Sequence, residues 1–179
     1  MMKIYMNSAY VDDDSIFVET FFNYMDLYIQ RMTYKVNESI SSIRCAEVEI
    51  ARALRYEGEV NNGGHNQYIN NLDGDQAEMA IALDGLTLLG AERQVNILRE
   101  MIRWTKANPK EVYRMLSTDD YIKQPLLESL DDDLFSIPSE LSVSQHAANW
   151  LRKNGNFVYV TEEQYEEIRQ RLFTSGLVN

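Results

Sequence analysis

Two histidines, His65 and His146, and one cysteine, Cys45, are all the imidazole and thiol groups in this chain. A structural zinc site takes four such ligands, so zinc is excluded. Neither histidine has a glutamate three residues before it, as the paired Glu-x-x-His motifs of a carboxylate-bridged di-iron bundle require. Asn71, Asp73 and Asp75 alternate like calcium-loop ligands. The sixth position of that loop, however, is Gln76 where a glycine must turn the chain, and the twelfth is Ala82 where a bidentate carboxylate must close the shell, so a solvated turn is expected. No phosphate-binding glycine loop, dinucleotide fingerprint or Gly-x-Ser-x-Gly elbow occurs. Glu162, Glu163, Glu166 and Glu167 put four carboxylates on one helical surface. Paired acids can do acid–base work, but at a helix start they also complement the macrodipole, and that is the reading preferred. No metal, no cofactor and no catalysis are expected.

His65 stands directly after a glycine pair, among Asn61, Asn62, Asn66, Gln67 and Asn70. Such a block can form a small polar pocket with one titratable group. It can equally be a loop wrapped by its own side chains, with glycine supplying positive φ and amides satisfying the backbone. Amides are poor proton carriers, which favours the architectural role. Gly63 or Gly64 is expected at positive φ, turning the chain from a second helix into a third.

The elements that hold these residues read as helix after helix. Asp12 to Ser15 offer N-caps for a helix in which Phe17, Phe21, Tyr24, Tyr28 and Met32 recur at three- and four-residue spacing. A second helix is expected over 39–56, weakened at Gly58, and a short stretch reaches Tyr68 after a loop at 61–64. Helices follow over 75–89, with Gly90 after its C-cap, and over 92–105. Asn108, Pro109 and Glu111 signal another start. Shorter helices are expected over 121–130 and 144–153, and Thr161 with Gln164 forms a capping box for a last one over 162–173. Residues 3–6 and 157–160 favour strand and can pair as a small ribbon. The fold class is all-α: residues 1–179 form a single-domain bundle of about seven to nine helices with at most one two-stranded ribbon.

Seventeen basic against 28 acidic residues give a net charge of −11. The excess runs through the chain, −4, −3 and −4 over residues 1–60, 61–120 and 121–179, so it belongs to the folded body and not to an acidic tail. Direct binding to nucleic acid is not expected, because neutralising phosphates takes clustered Lys and Arg. The longest apolar run, at 79–83, is far short of the roughly 20 residues that span a bilayer, and residues 1–7 lack the pattern of a signal peptide. With one cysteine and no internal disulfide, a cytoplasmic location is expected.

The series Glu59, Val60, Asn61, Asn62, Gly63, Gly64, His65, Asn66, Gln67, Tyr68, Ile69, Asn70, Asn71, then Gly74 and the later Gly90-Ala91 step, resembles the signature of the bacterial DNA-mimic protein family. Residues 130–135 and 147–157 resemble its C-terminal part, so the similarity covers about 39–160. The resemblance implies a mostly helical, dimeric, non-catalytic protein. In such a protein acidic side chains occupy the DNA-binding face of a basic DNA-binding protein such as a helix-turn-helix transcription factor. Glu59, Asn61, Gly63, Gly64, Gln67, Tyr68, Asn70, Gly74, Gly90 and Ala91 would then be structural.

A mimic of duplex DNA must hold many carboxylates on one face, about one charge per 1.7 Å of axis. The candidates are Asp12, Asp13 and Asp14; Asp119 and Asp120; Asp131, Asp132 and Asp133; and Glu162, Glu163, Glu166 and Glu167. The three aspartates at 131–133 are expected at the surface, so that changing them to Asn leaves the fold intact. The alternative is an immunity-type or other protein-binding module using the segment 61–71. A homodimer is expected from the resemblance and from the first helix, where Phe17, Val18, Phe21, Phe22 and Tyr24 cover more than one apolar stripe.

Overall fold

The computed structural model describes residues 2–118 and 123–174. Strand β1 (Ile4–Asn7) leads through a 3₁₀ turn at Ser8–Tyr10 into α1 (Asp14–Gln30), which relaxes into a π turn at Arg31–Lys35. Then come α2 (Ala46–Asn71), α3 (Gln76–Leu89), α4 (Glu92–Ala107), α5 (Pro109–Leu116), α6 (Pro125–Phe135) and α7 (Val143–Asn154). Strand β2 (Phe157–Val160) and α8 (Glu162–Thr174) close the chain. Eight α-helices and one two-stranded sheet are thus present among the described residues, as the periodicity predicts.

Most boundaries follow local chemistry. Asp13 caps α1 by accepting from the N–H groups of Ser15 and Ile16, and Asp75 caps α3 by accepting from Ala77 and Glu78. Gly90 ends α3 in the left-handed conformation at φ 71°. At α8 the capping box closes both ways: Thr161 N–H donates to Gln164 Oε1 and Gln164 N–H to Thr161 Oγ1. Asp73, at φ 51°, and Asp75 serve the turn between α2 and α3 in place of a calcium loop.

Three expectations need correction. The second helix does not span 39–56. Cys45 is extended, α2 begins at Ala46, and it runs on through Gly58 to Asn71. A glycine costs a helix only about 1 kcal/mol, which burial of Val48, Ile50, Ala51, Ala53, Leu54, Tyr56 and Val60 along the same helix outweighs. The segment 61–64 is not a loop but a kink inside α2, where Gly63 and Gly64 leave helical geometry. The helix expected over 121–130 is α6, opened by Pro125 at its first turn; 121 and 122 lie outside the described residues.

The strands pair in parallel, Ile4 with Phe157 through Asn7 with Val160. Parallel strands need a long crossover, and here α1 to α7 supply it. The pairing sets the starts of α1 and α8 on one edge of the molecule. The wide apolar surface of α1 is used within the chain: Phe17, Val18, Phe21 and Tyr24 are buried against α2, α7, α8 and β1. Burial pushes the Tyr24 hydroxyl up to about 12.

Candidate functional site

At the kink of α2, Gly64 has φ 74° and ψ −179°, so the expected positive φ falls on the second glycine of the pair. The helix restarts at His65, whose backbone N–H has no partner within the helix. It donates instead to Asp131 Oδ1 of α6, at 2.7 Å. Asp131 is therefore an N-cap supplied from another helix, and its charge also meets the positive end of the restarted helix. The same oxygen lies 2.5 Å from His65 Nδ1. A carboxylate only accepts, so Nδ1 carries a proton, and in the neutral ring Nε2 then accepts from the Tyr56 hydroxyl at 2.9 Å. His65 and Tyr56 are both fully buried, and burial raises the Tyr56 hydroxyl well above its ordinary range, keeping it a donor. Tyr68 closes the cluster edge-on against Tyr56 at 5.1 Å.

An Asp–His–Tyr chain has the order of a proton relay. Here the imidazole nitrogen a general base would offer is occupied by Tyr56, and none of the three groups faces open solvent through that atom. The arrangement can orient α6 on α2 and satisfy three buried polar groups at once.

The rest of the amide block works alongside. Glu59 Oε2 accepts from Gln67 Nε2 at 3.0 Å and Asn71 Nδ2 at 2.6 Å, bracing the kink across both halves of α2. Gln67 folds over Gly63, leaving no room for a Cβ there. Asn61 and Asn70 are exposed, Tyr68 is buried, and Gly74 turns at φ 70°. Ala91 is buried at the start of α4.

The acidic candidates scatter over several elements. Asp12 and Asp13 are exposed, and Asp13 is spent on the α1 cap. Asp14 binds Arg152 of α7, Nε to Oδ1 at 2.7 Å, and this guanidinium bond holds its carboxyl below the usual range. Asp132 and Asp133 are exposed on α6. Asp131 is the correction: it faces inward to His65 and is not part of that surface, because α6 turns it about 100° away from its neighbours. Glu162, Glu163 and Glu167 are exposed on α8, while Glu166 pairs with Arg169 at 2.9 Å. Asp119 and Asp120 lie outside the described residues.

Three residues not singled out in the sequence prove central. Tyr56 stands nine positions before His65, a separation with no periodic signal across a kink. Glu57 of α2 caps α7, accepting from Val143 N–H at 2.7 Å and Ser144 N–H at 3.2 Å. Glu19 of α1 faces the α8 acids across a cleft. Seven residues separate Glu19 from Asp26, two turns of one helix, so a helical projection of α1 shows their common side.

The single changes at 131, 132 and 133 should therefore separate. Asp131→Asn keeps one acceptor but loses the charge and is expected to cost about 1–2 kcal/mol in a denaturant titration. Asp132→Asn and Asp133→Asn should stay within about 0.5 kcal/mol of the parent. Equal stability of all three would show that the Asp131–His65 contact does not hold the fold.

The family model described as DMP19-like protein matches residues 46–154, about three fifths of the chain, from the first residue of α2 to the last of α7. A comparison with curated proteins and one with solved structures found no match. The matched segment contains the whole kinked helix, the Glu59 brace, His65 and Asp131, and the α3 helix that packs on α2.

Proposed function

The chain belongs to the DMP19-like protein family, and from that membership we propose that it is a non-catalytic acidic binding protein, a DNA mimic that occupies the DNA-binding surface of a basic DNA-binding protein. The observation that carries the reading is the net charge of −11 spread evenly along the chain of a family member. Several carboxylates are used inside the fold, at the α1, α3 and α7 caps and at His65. Asp132, Asp133, Glu162 and Glu163 remain exposed and make no side-chain bond among the described residues, so they are available to Arg and Lys of a partner. Facing charges of this kind speed encounter and set register, and salt weakens them.

The partner is a helix-turn-helix transcription factor or another protein with a basic DNA-binding face. The protein acts in the cytoplasm as a homodimer, which doubles the acidic surface. No helix among the described residues is long and apolar enough to cross a membrane. Phe17, Val18, Phe21 and Tyr24 of α1 are buried inside the chain while Phe22 is half-buried, so the dimer reading rests chiefly on the family.

The test is a pull-down with the tagged chain, followed by competition between the captured protein's DNA site and this chain. Binding should exclude DNA and fall steeply from low to physiological salt, and light scattering should give twice the protomer mass of 20.8 kDa. A partner that holds this chain and DNA together, or an affinity indifferent to salt, overturns the mimic reading. A monomer mass at micromolar concentration overturns the dimer.

A further inference from the structure

Outside the family-matched segment, α1 and α8 enclose a cleft of about 660 Å³ whose walls carry Glu19 and Asp26 on one side and Glu162 and Glu166 on the other. The parallel register creates it. Asn7 ends β1 beside Val160 at the end of β2, and each strand runs into its helix within a few residues. The first turn of α8 thus starts alongside α1, and acids favoured there by the helix dipole face acids of α1. Asp26 also accepts from Gln30, and Glu166 holds the one cation of the cleft, Arg169, while Glu19 and Glu162 make no ion pair among the described residues.

Asn7, the last residue of β1, also lines the cleft. It is only 2% exposed; its Oδ1 accepts from Ala9 N–H, and its Nδ2 has no hydrogen-bond partner among the described residues. A buried amide donor left alone is costly, and an acceptor brought by a ligand would satisfy it. The ligand must then bring cationic donors to the carboxylates and one oxygen to Asn7. A polyamine has the cations and no oxygen. Nucleic acid has the oxygens and the wrong charge. A peptide residue with a basic side chain has both, its own carbonyl and its side chain, and a planar guanidinium suits several carboxylates better than a point charge does.

The geometry points to the α1–α8 cleft as the seat of an arginine-bearing segment of a protein partner, with the guanidinium between Glu19 and Glu162 and a main-chain carbonyl on Asn7 Nδ2. This assignment rests on the proposed function for the partner's basic character and adds where that partner is gripped.

The experiment titrates the isotopically labelled full chain with a blocked hexapeptide of alternating Arg and Ala, and with the same peptide carrying neutral citrulline. Backbone amides of 16–27 and 162–169 and the side-chain amide of Asn7 should shift with the arginine peptide only. The double change Glu19→Gln and Glu162→Gln, both on exposed positions, should weaken binding on the order of tenfold. The double change Glu92→Gln and Glu140→Gln, on exposed acids away from the cleft, should leave it unchanged. Equal binding of the citrulline peptide, an unmoved Asn7 resonance, shifts centred on α6, or an indifferent cleft variant overturns the assignment. If the cleft variant still competes with DNA at full strength, the cleft falls and the proposed function stands; if the parent chain never competes with DNA yet the titration succeeds, the reverse holds.

Discussion

Gly64→Ala should unfold well below the parent, by about 3–5 kcal/mol, or on the order of 10 °C in a thermal melt followed by circular dichroism. Two costs combine. The backbone at φ 74° and ψ −179° is a region essentially closed to L side chains, which accounts for about 1–3 kcal/mol. A Cβ built there would also stand 2.5 Å from Asp131 Oδ2, driving the carboxylate off the His65 N–H and ring that it bonds. Losing a charged hydrogen bond in a partly buried place adds about 1.5–3 kcal/mol. Gly58→Ala in the same helix is the control with the opposite sign. Nothing lies within 4 Å of its would-be Cβ, so the change should stabilise by about 0.5–1 kcal/mol. A Gly64→Ala chain that melts with the parent would refute the cross-helix cap.

Gly85→Ala should cost about 3 kcal/mol, through packing alone. Gly85 has ordinary helical backbone in α3, but its Cβ would come 2.0 Å from the carbonyl oxygen of Glu49 in α2, with Ala53 next nearest. A backbone carbonyl within a helix cannot rotate away as a side chain can, so α3 has to move bodily. Met79, Ala82 and Leu86, buried on α3 around this contact, would lose close packing together. Denaturant titration should show a lower midpoint with an unchanged slope, since the unfolded chain is hardly altered. An unchanged midpoint would mean that the helices are not in backbone contact at this point.

The two glycines differ in how legible they are. Gly64 stands in a pair beside amides, a local signal that glycine is wanted for its backbone, and the positive φ was readable there. Gly85 sits amid a regular apolar repeat and is needed only because another helix arrives; no pattern in α3 announces it. The kink shows the same limit from the other side. Asn-Asn-Gly-Gly favours a turn by every local rule. Yet the half-helices continue in one element because Asp131 satisfies the His65 N–H at the break and Glu59 ties the two halves through the Gln67 and Asn71 side chains.

The sequence by itself determined the all-α class, the helix starts at Asp13, Asp75 and Thr161, the end at Gly90 and the two strands, because each rests on contacts within about five residues or on apolar periodicity. The family was readable too, and the matched segment contains the amide and glycine block that builds the kink. Only the tertiary structure decided which carboxylates are spent and which are free. Asp131 and Asp132 are adjacent and chemically identical, but one caps a helix 66 residues away while the other meets solvent. The acids of α1 and α8 come together because β1 pairs with β2 across nearly the whole chain. Charge is written locally, whereas the place of a charge is set by long-range packing, which no window of sequence contains.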